Sequence, residues 1–280
     1  MPAAELRSTN ARYPGTDQPE EALGLPPEPC SSPGLGPRLA ENLLPIASFS
    51  HDLERSLAPL RSQYNDVVNG WFSEGTFGVT YPPLLVETYH YVRHSCALMD
   101  RACELLDEEH ATLRTYLRHH RQEEYGHERW LLEDLEALGF TRDAVVDSDA
   151  LAETVALVGS QLYVIDYLHP AGLLGYIYVM ESKPPTQIWL DTLHQTAGIP
   201  REALTFLTRH GDADIVHREE LREILDTCFA DPSARRAART SAMLGLAGVV
   251  RLFARLRSGD FMDPYYLSSP PLLKKEVLNV

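Results

Sequence analysis

From about residue 45 to residue 258 the chain repeats apolar side chains at the 3.6-residue period of an amphipathic helix, and alternating, strand-like runs are nearly absent. Stripes of this kind are buried by packing helix against helix, so an all-α fold is expected. Leu53, Leu57 and Leu60 mark the first stripe, in a helix that ends near Phe72. A loop carrying glycine and proline, Gly75 to Pro83, should separate it from a second helix over Leu84 to about Asp107. A third should run from about Glu109 through Leu138 and stop at Gly139. Another covers Val145 to Leu168, and Pro170 permits a further one through Met180. Lys183-Pro184-Pro185 ends that one, because proline donates no backbone N–H. The remaining helices fit about 186–196, 200–210, 212–229 and 232–258.

A chain of 280 residues can bury one sizeable core, expected here in a single domain over residues 41–262. Residues 1–40 are rich in proline, glycine and small polar side chains and read as a disordered tail; residues 263–280 read as a C-terminal tail. The formal charge of −15 repels a phosphate backbone, and the short clusters Arg235-Arg236-Arg239 and Lys274-Lys275 do not offset it, so nucleic acid is not an expected partner. Cys30, Cys96, Cys103 and Cys228 show no CxxC spacing, which fits a reducing cytoplasm better than a disulfide framework. No apolar run approaches the roughly 18 residues of a membrane span, so a soluble protein without a membrane partner is expected.

The sharpest local feature is Arg209-His210-Gly211-Asp212-Ala213-Asp214-Ile215-Val216-His217. On a helix, His210, Asp214 and His217 stand at i, i+4 and i+7, within roughly 60° of one another at about 100° per residue. Two imidazoles and a carboxylate on one face form the kind of ligand set that non-haem iron accepts with positions left open. A solvated polar face is the competing reading. The same spacing recurs at His120, Glu124 and His127, and two such half-sites suit a dinuclear centre in a helical bundle. Pairing with Arg118 and Arg121 would explain the second set without a metal. Glu181 follows Tyr176-Ile177-Tyr178-Val179-Met180, and Glu87 sits in Leu84-Leu85-Val86-Glu87-Thr88-Tyr89-His90-Tyr91-Val92; a charge in such surroundings is costly unless paired or metal-bound.

Taken in order, Glu87, then Glu124-Tyr125-Gly126-His127, then Gly175-Tyr176-Ile177-Tyr178-Val179-Met180-Glu181, then His210-x3-Asp214-x2-His217 resembles the haem-oxygenase-like di-iron oxidases and oxygenases, a family of iron-containing redox enzymes. The resemblance spans about residues 50 to 255. It implies a haem-oxygenase-like helical bundle binding two Fe(II) ions, with O2 as co-substrate. Glu87 and His127 would hold one iron with help from Glu124, Glu181 would bridge, and His210, Asp214 and His217 would hold the other. Relatives can supply a carboxylate one or two turns before the histidine, where this chain has His120, so either His120 or Glu124 is a candidate for the shell. The implied activity is N-oxygenation, desaturation, C–C cleavage or decarboxylation of an amine, amino acid or fatty acid in specialised metabolism. A small-molecule substrate is expected, with an external reductant and a homodimer also open to such a protein.

Two other functions stay open on the same fold. A metal-free, thiaminase-like hydrolase would need a nucleophilic cysteine beside a carboxylate, for which Cys96 and Cys103 are available, although packing is the commoner role. A non-catalytic metal-binding protein is the other. A haem enzyme could use His51 as its one axial ligand, but that leaves the remaining ionisable groups unexplained. Tyr163, Tyr167, Tyr176 and Tyr178 belong to the core or line a substrate cavity; Lys183 and Arg209 are cations that could meet a polar substrate, and spacing selects neither.

Overall fold

A computed structural model of the protein describes residues 48–259, apart from the side chains of residues 212–216. The expected tails, 1–40 and 263–280, lie outside the described residues. Eleven α-helices are found among the described residues: α1 (Phe49–Ser73), α2 (Phe77–Val92), α3 (Ser95–Leu105), α4 (Ala111–Glu123), α5 (Glu128–Ala137), α6 (Arg142–Val146), α7 (Ala152–Tyr163), α8 (Leu173–Glu181), α9 (Gln187–Ala197), α10 (Thr205–Thr227) and α11 (Pro232–Ser258). No β-strand occurs among them, as the periodicity predicts.

Helix α11 is the axis of the bundle and touches α1, α7 and α8. Its inner face is a run of small residues, Ala234, Ala237, Ala238, Ser241, Ala242 and Gly245, which lets neighbouring backbones approach closely. At the tightest point a Cβ on Gly175 of α8 would fall on the Ala238 carbonyl. Because backbone cannot rotate away as a flexible side chain can, Gly175→Ala is expected to cost about 2–3 kcal/mol, read as a lower urea midpoint at unchanged slope. By length and composition alone α11 could cross a membrane, contrary to the sequence expectation, but half of its apolar window is buried inside the bundle.

Five element boundaries differ from the sequence reading. The helix expected over Val145 to Leu168 is divided: α6 ends at Val146, α7 begins at Ala152, and Val164–Leu168 forms a π-helical turn. Helix α2 begins inside the expected Gly75–Pro83 loop and contains Pro82 and Pro83. Tertiary contacts override local preference there: Phe77 and Tyr81 are buried, and the Tyr81 hydroxyl donates to the Ala203 carbonyl at 2.8 Å. The expected second helix is interrupted between Val92 and Ser95, giving α2 and α3. The expected third helix is broken between α4 and α5 by a turn at Glu124–His127, where Gly126 adopts φ +91°, a left-handed conformation that a Cβ disfavours. Conversely, the two segments expected over 200–210 and 212–229 join as α10, which runs through Gly211 unbroken.

Candidate metal centre

Three elements bring the chemistry together: the end of α4 with the turn into α5, the C-terminal end of α8, and the first half of α10. The α8–α11 contact sets Glu181 deep in the bundle, 6% exposed, at the last position of an otherwise apolar helix. Helix α10 is pinned opposite α5 by Asp134, a fully buried carboxylate on α5 that accepts the N–H groups of Thr205 at 3.0 Å and Phe206 at 2.9 Å. It thereby satisfies two of the unpaired donors of the first turn of α10 and fixes the rotation of the helix that carries His210 and His217. Burial pushes the Asp134 carboxyl up to about 6 against those hydrogen bonds.

The side chains converge in two groups that share one residue. In the first, His120, Glu124, Glu181 and His217 place ligand atoms within 4.8 Å of one another. His120 Nε2 lies 2.7 Å from Glu181 Oε1, His217 Nδ1 lies 3.8 Å from the same oxygen, and the two imidazole rings meet edge to face at 4.9 Å. In the second, Glu124, His127 and His210 converge to the same limit; His127 Nδ1 is 3.1 Å from Glu124 Oε2 and the two histidine rings are 4.9 Å apart. Glu124 therefore faces both groups. Trp130 stacks on His127 at 4.0 Å, and Phe206 packs against His210 at 4.3 Å, closing this side with aromatic surface.

Without a metal the imidazoles and carboxylates of the cluster act on one another. Burial alone would raise Glu124, but the hydrogen bond from His127 and the charges of His210, His127 and His120 hold it down at about 2. Burial alone would lower His120, but the Glu123 and Glu181 carboxylates outweigh it and hold the imidazolium up to about 10. Glu181 is raised by burial against the pull of His120 and His217. Glu181 Oε2 and His217 Nδ1 are buried without a hydrogen-bond partner among the described residues. Buried polar atoms are normally paired, and a metal ion would take both as ligands. The donor set, imidazole nitrogens with carboxylate oxygens, suits iron.

Of the residues the sequence singled out, the structure brings together His120, Glu124, His127, Glu181, His210 and His217; both His120 and Glu124 join a group, and the residue common to the two groups is Glu124, where the resemblance implied Glu181. The Asp214 side chain lies outside the described part. Glu87 is not brought into either group. Its carboxylate, fully buried on α2, accepts the Leu151 N–H at 3.1 Å and the Thr154 hydroxyl at 2.6 Å, and so holds the N-terminal end of α7. An apolar neighbourhood flagged it correctly as a buried charge; the start of α7 supplies partners for Oε2, while Oε1 is buried without a hydrogen-bond partner among the described residues. Glu123 escaped the sequence reading: its Oε2 lies 3.4 Å from His217 Nε2 and 3.8 Å from His120 Nδ1, at the exposed edge of the first group. Nothing in its spacing separates it from an ordinary surface charge. Tyr163 and Tyr167 stack on each other on the outside, 54% and 76% exposed, away from the cavity, which Tyr176 does line.

A third group, His110, His169 and Asp231, also converges. His169 Nδ1 accepts the Ala171 N–H, so the neutral ring carries its proton on Nε2, 3.4 Å from Asp231. His110 Nδ1 meets Asp107 at 2.7 Å. These bonds explain the group as a capping network at the start of α11.

A cavity of about 230 Å³ opens onto both groups, lined by His120, Glu124, Glu181 and His210 and, elsewhere, by mainly apolar side chains from α1, α3, α8 and α11. The profile of a family described as iron-containing redox enzyme matches residues 83–248, a span that includes every residue of the two groups. No curated protein matches the chain. A solved structure, a domain of unknown function with a heme oxygenase-like fold from Shewanella denitrificans OS217, superposes with a TM-score of 0.69 at 19% identity, covering 80% of this chain and 98% of that one. The expected haem-oxygenase-like helical fold is thus borne out.

Proposed function

The chain belongs to the iron-containing redox enzyme family, and from that premise we propose that it is a non-haem di-iron oxidase or oxygenase that uses O2 to oxidise a small molecule. The observation that carries this reading is Glu124, a carboxylate common to two adjacent donor groups. His120, Glu124, Glu181 and His217 would hold one ferrous ion, and Glu124, His127 and His210 the other, with Asp214 available from the same helix as His210 and His217. Two ferrous ions would supply the electrons that reduce dioxygen, chemistry that side chains alone do not provide.

The rest is work for the chain itself. Asp134 holds α10 in rotation so that its histidines face α4 and α8. Trp130 and Phe206 keep water from His127 and His210, and Arg209 lies over the Trp130 ring at 4.6 Å, which fixes that ring from outside. The apolar cavity orients the substrate against the metal-facing wall and excludes bulk water from it. A small-molecule substrate and an external reductant belong to the same proposal.

The cysteine alternative finds no support. Burial pushes the Cys96 thiol up to about 11, and its Sγ–H donates to the Arg121 carbonyl at 3.6 Å, so it is a protonated packing residue at neutral pH. Anaerobic ferrous titration of the full chain followed by oxygen-electrode assay tests the proposal. Two irons per chain and iron-dependent oxygen uptake are expected, with both unchanged in Cys96→Ala. A protein that takes up no iron, or loses activity with Cys96, contradicts the reading.

A further inference from the structure

We propose that Trp130 is the residue through which electrons from an external one-electron carrier protein enter the metal centre; this inference rests on the oxidase reading of that centre. Among the described residues, three aromatic side chains other than the histidines themselves pack on the donor imidazoles: Tyr116 on His120 at 5.7 Å, Phe206 on His210 at 4.3 Å and Trp130 on His127 at 4.0 Å. Tyr116 and Phe206 are buried. Trp130 is half-buried and lies beneath the exposed Arg209, so it alone of the three carries the contact out to the surface. Its indole stacks on the His127 ring with the two planes 26° apart, and its centre is 6.0 Å from that of His210. One ring thus joins the surface to both imidazoles of the second group.

Electron tunnelling weakens exponentially with distance and is fastest through atoms in bonded or packed contact, which is what the stacked pair offers. The route is also separate from the one the substrate takes. His120, Glu124, Glu181 and His210 line the cavity, whereas neither His127 nor Trp130 does. A carrier protein cannot enter a cavity of about 230 Å³, and a substrate seated there closes it to smaller reductants. The Trp130 side of the centre does not depend on that occupancy. Arg209 adds an electrostatic condition: a guanidinium 4.6 Å from the ring centre disfavours positive charge on the indole. The ring therefore passes electrons inward without itself being oxidised by the centre. Each carrier loses one electron, and two such transfers return two ferric ions to the ferrous state. No bond forms or breaks at Trp130, and no proton moves there.

Stopped-flow reduction of the full chain loaded with ferric iron tests the inference, with reduced flavodoxin as the carrier and dithionite as a small donor that the empty cavity admits. Trp130→Leu should slow reduction by flavodoxin at least about tenfold, the effect typical of losing an outer-shell partner of a metal-bound histidine, and should leave reduction by dithionite unchanged. Trp130→Phe, which keeps a ring on His127, should retain most of the flavodoxin rate. Trp130→Met, which has no ring, repeats the test should the leucine variant fail to fold. The readout is loss of ferric absorbance per bound iron, so a variant that merely holds less iron does not imitate the effect. A flavodoxin rate indifferent to loss of the ring, equal slowing with both donors, or wild-type protein that dithionite reduces and flavodoxin does not overturns the electron path. Iron content of the same preparations keeps the two readings apart: a chain that takes up no iron removes both, whereas iron-loaded protein whose reduction ignores Trp130 removes only the path.

Discussion

Glu124→Ala is expected to strip metal from both pockets at once, whereas His217→Ala removes one ion and leaves the other. The reason is geometric. Glu124 is the residue shared by the two donor groups, and His217 belongs to only one of them. Loss of an outer-shell partner typically weakens a metal site by roughly 10- to 100-fold, and loss of a shared ligand should exceed that at each position. Equilibrium dialysis against ferrous iron under anaerobic conditions, with metal analysis per chain, separates the two variants: near zero for the first and about half the wild-type content for the second. Equal losses in both variants would mean that the groups do not act as two linked sites.

Glu87→Gln is expected to leave iron content unchanged and to flatten the dependence of stability on pH. Burial raises the Glu87 carboxyl from an ordinary 4.5 to about 7, against the hydrogen bonds from Thr154 and Leu151. A carboxyl whose folded pKa lies above its unfolded value favours the folded state most at low pH, and that contribution is lost as pH rises through the folded value. Between pH 5 and pH 8 this one group should therefore reduce stability by about 2–3 kcal/mol. Glutamine does not ionise, and it keeps an oxygen to accept from Leu151 and Thr154. Urea melts of the two proteins at pH 5, 6, 7 and 8 should diverge by that amount. Parallel curves would show that the carboxyl is not buried as described, and loss of one iron in the variant would return Glu87 to the metal site.

The comparison of Glu87 with Glu181 shows where sequence reasoning reaches its limit. Both are glutamates in apolar helical runs, and both are buried, 0% and 6% exposed. What differs is the partner, which only the tertiary arrangement supplies: the start of α7 for one, His120 for the other. Five of the seven predicted ligands do converge; for His210 and His217 the local spacing suffices, because α10 is one continuous helix. The matching spacing in His120, Glu124 and His127 arises differently, through a turn at Gly126 in place of the expected helix face. Asp134 and Glu123 were invisible for the same reason: a lone acid on an exposed-looking stretch acquires its role from a distant helix end or a neighbouring imidazole. Pro82 and Pro83 mislead in the other direction, since the buried aromatics Phe77 and Tyr81 carry the helix through them.

Anomalous diffraction from crystals of the full chain, grown and soaked in ferrous iron without oxygen, tests the shared-carboxylate centre most directly. Two iron peaks are expected, one among His120, Glu124, Glu181 and His217 and one among Glu124, His127 and His210, with the Glu124 carboxylate touching both. A single peak, or one centred on Glu87, would contradict it.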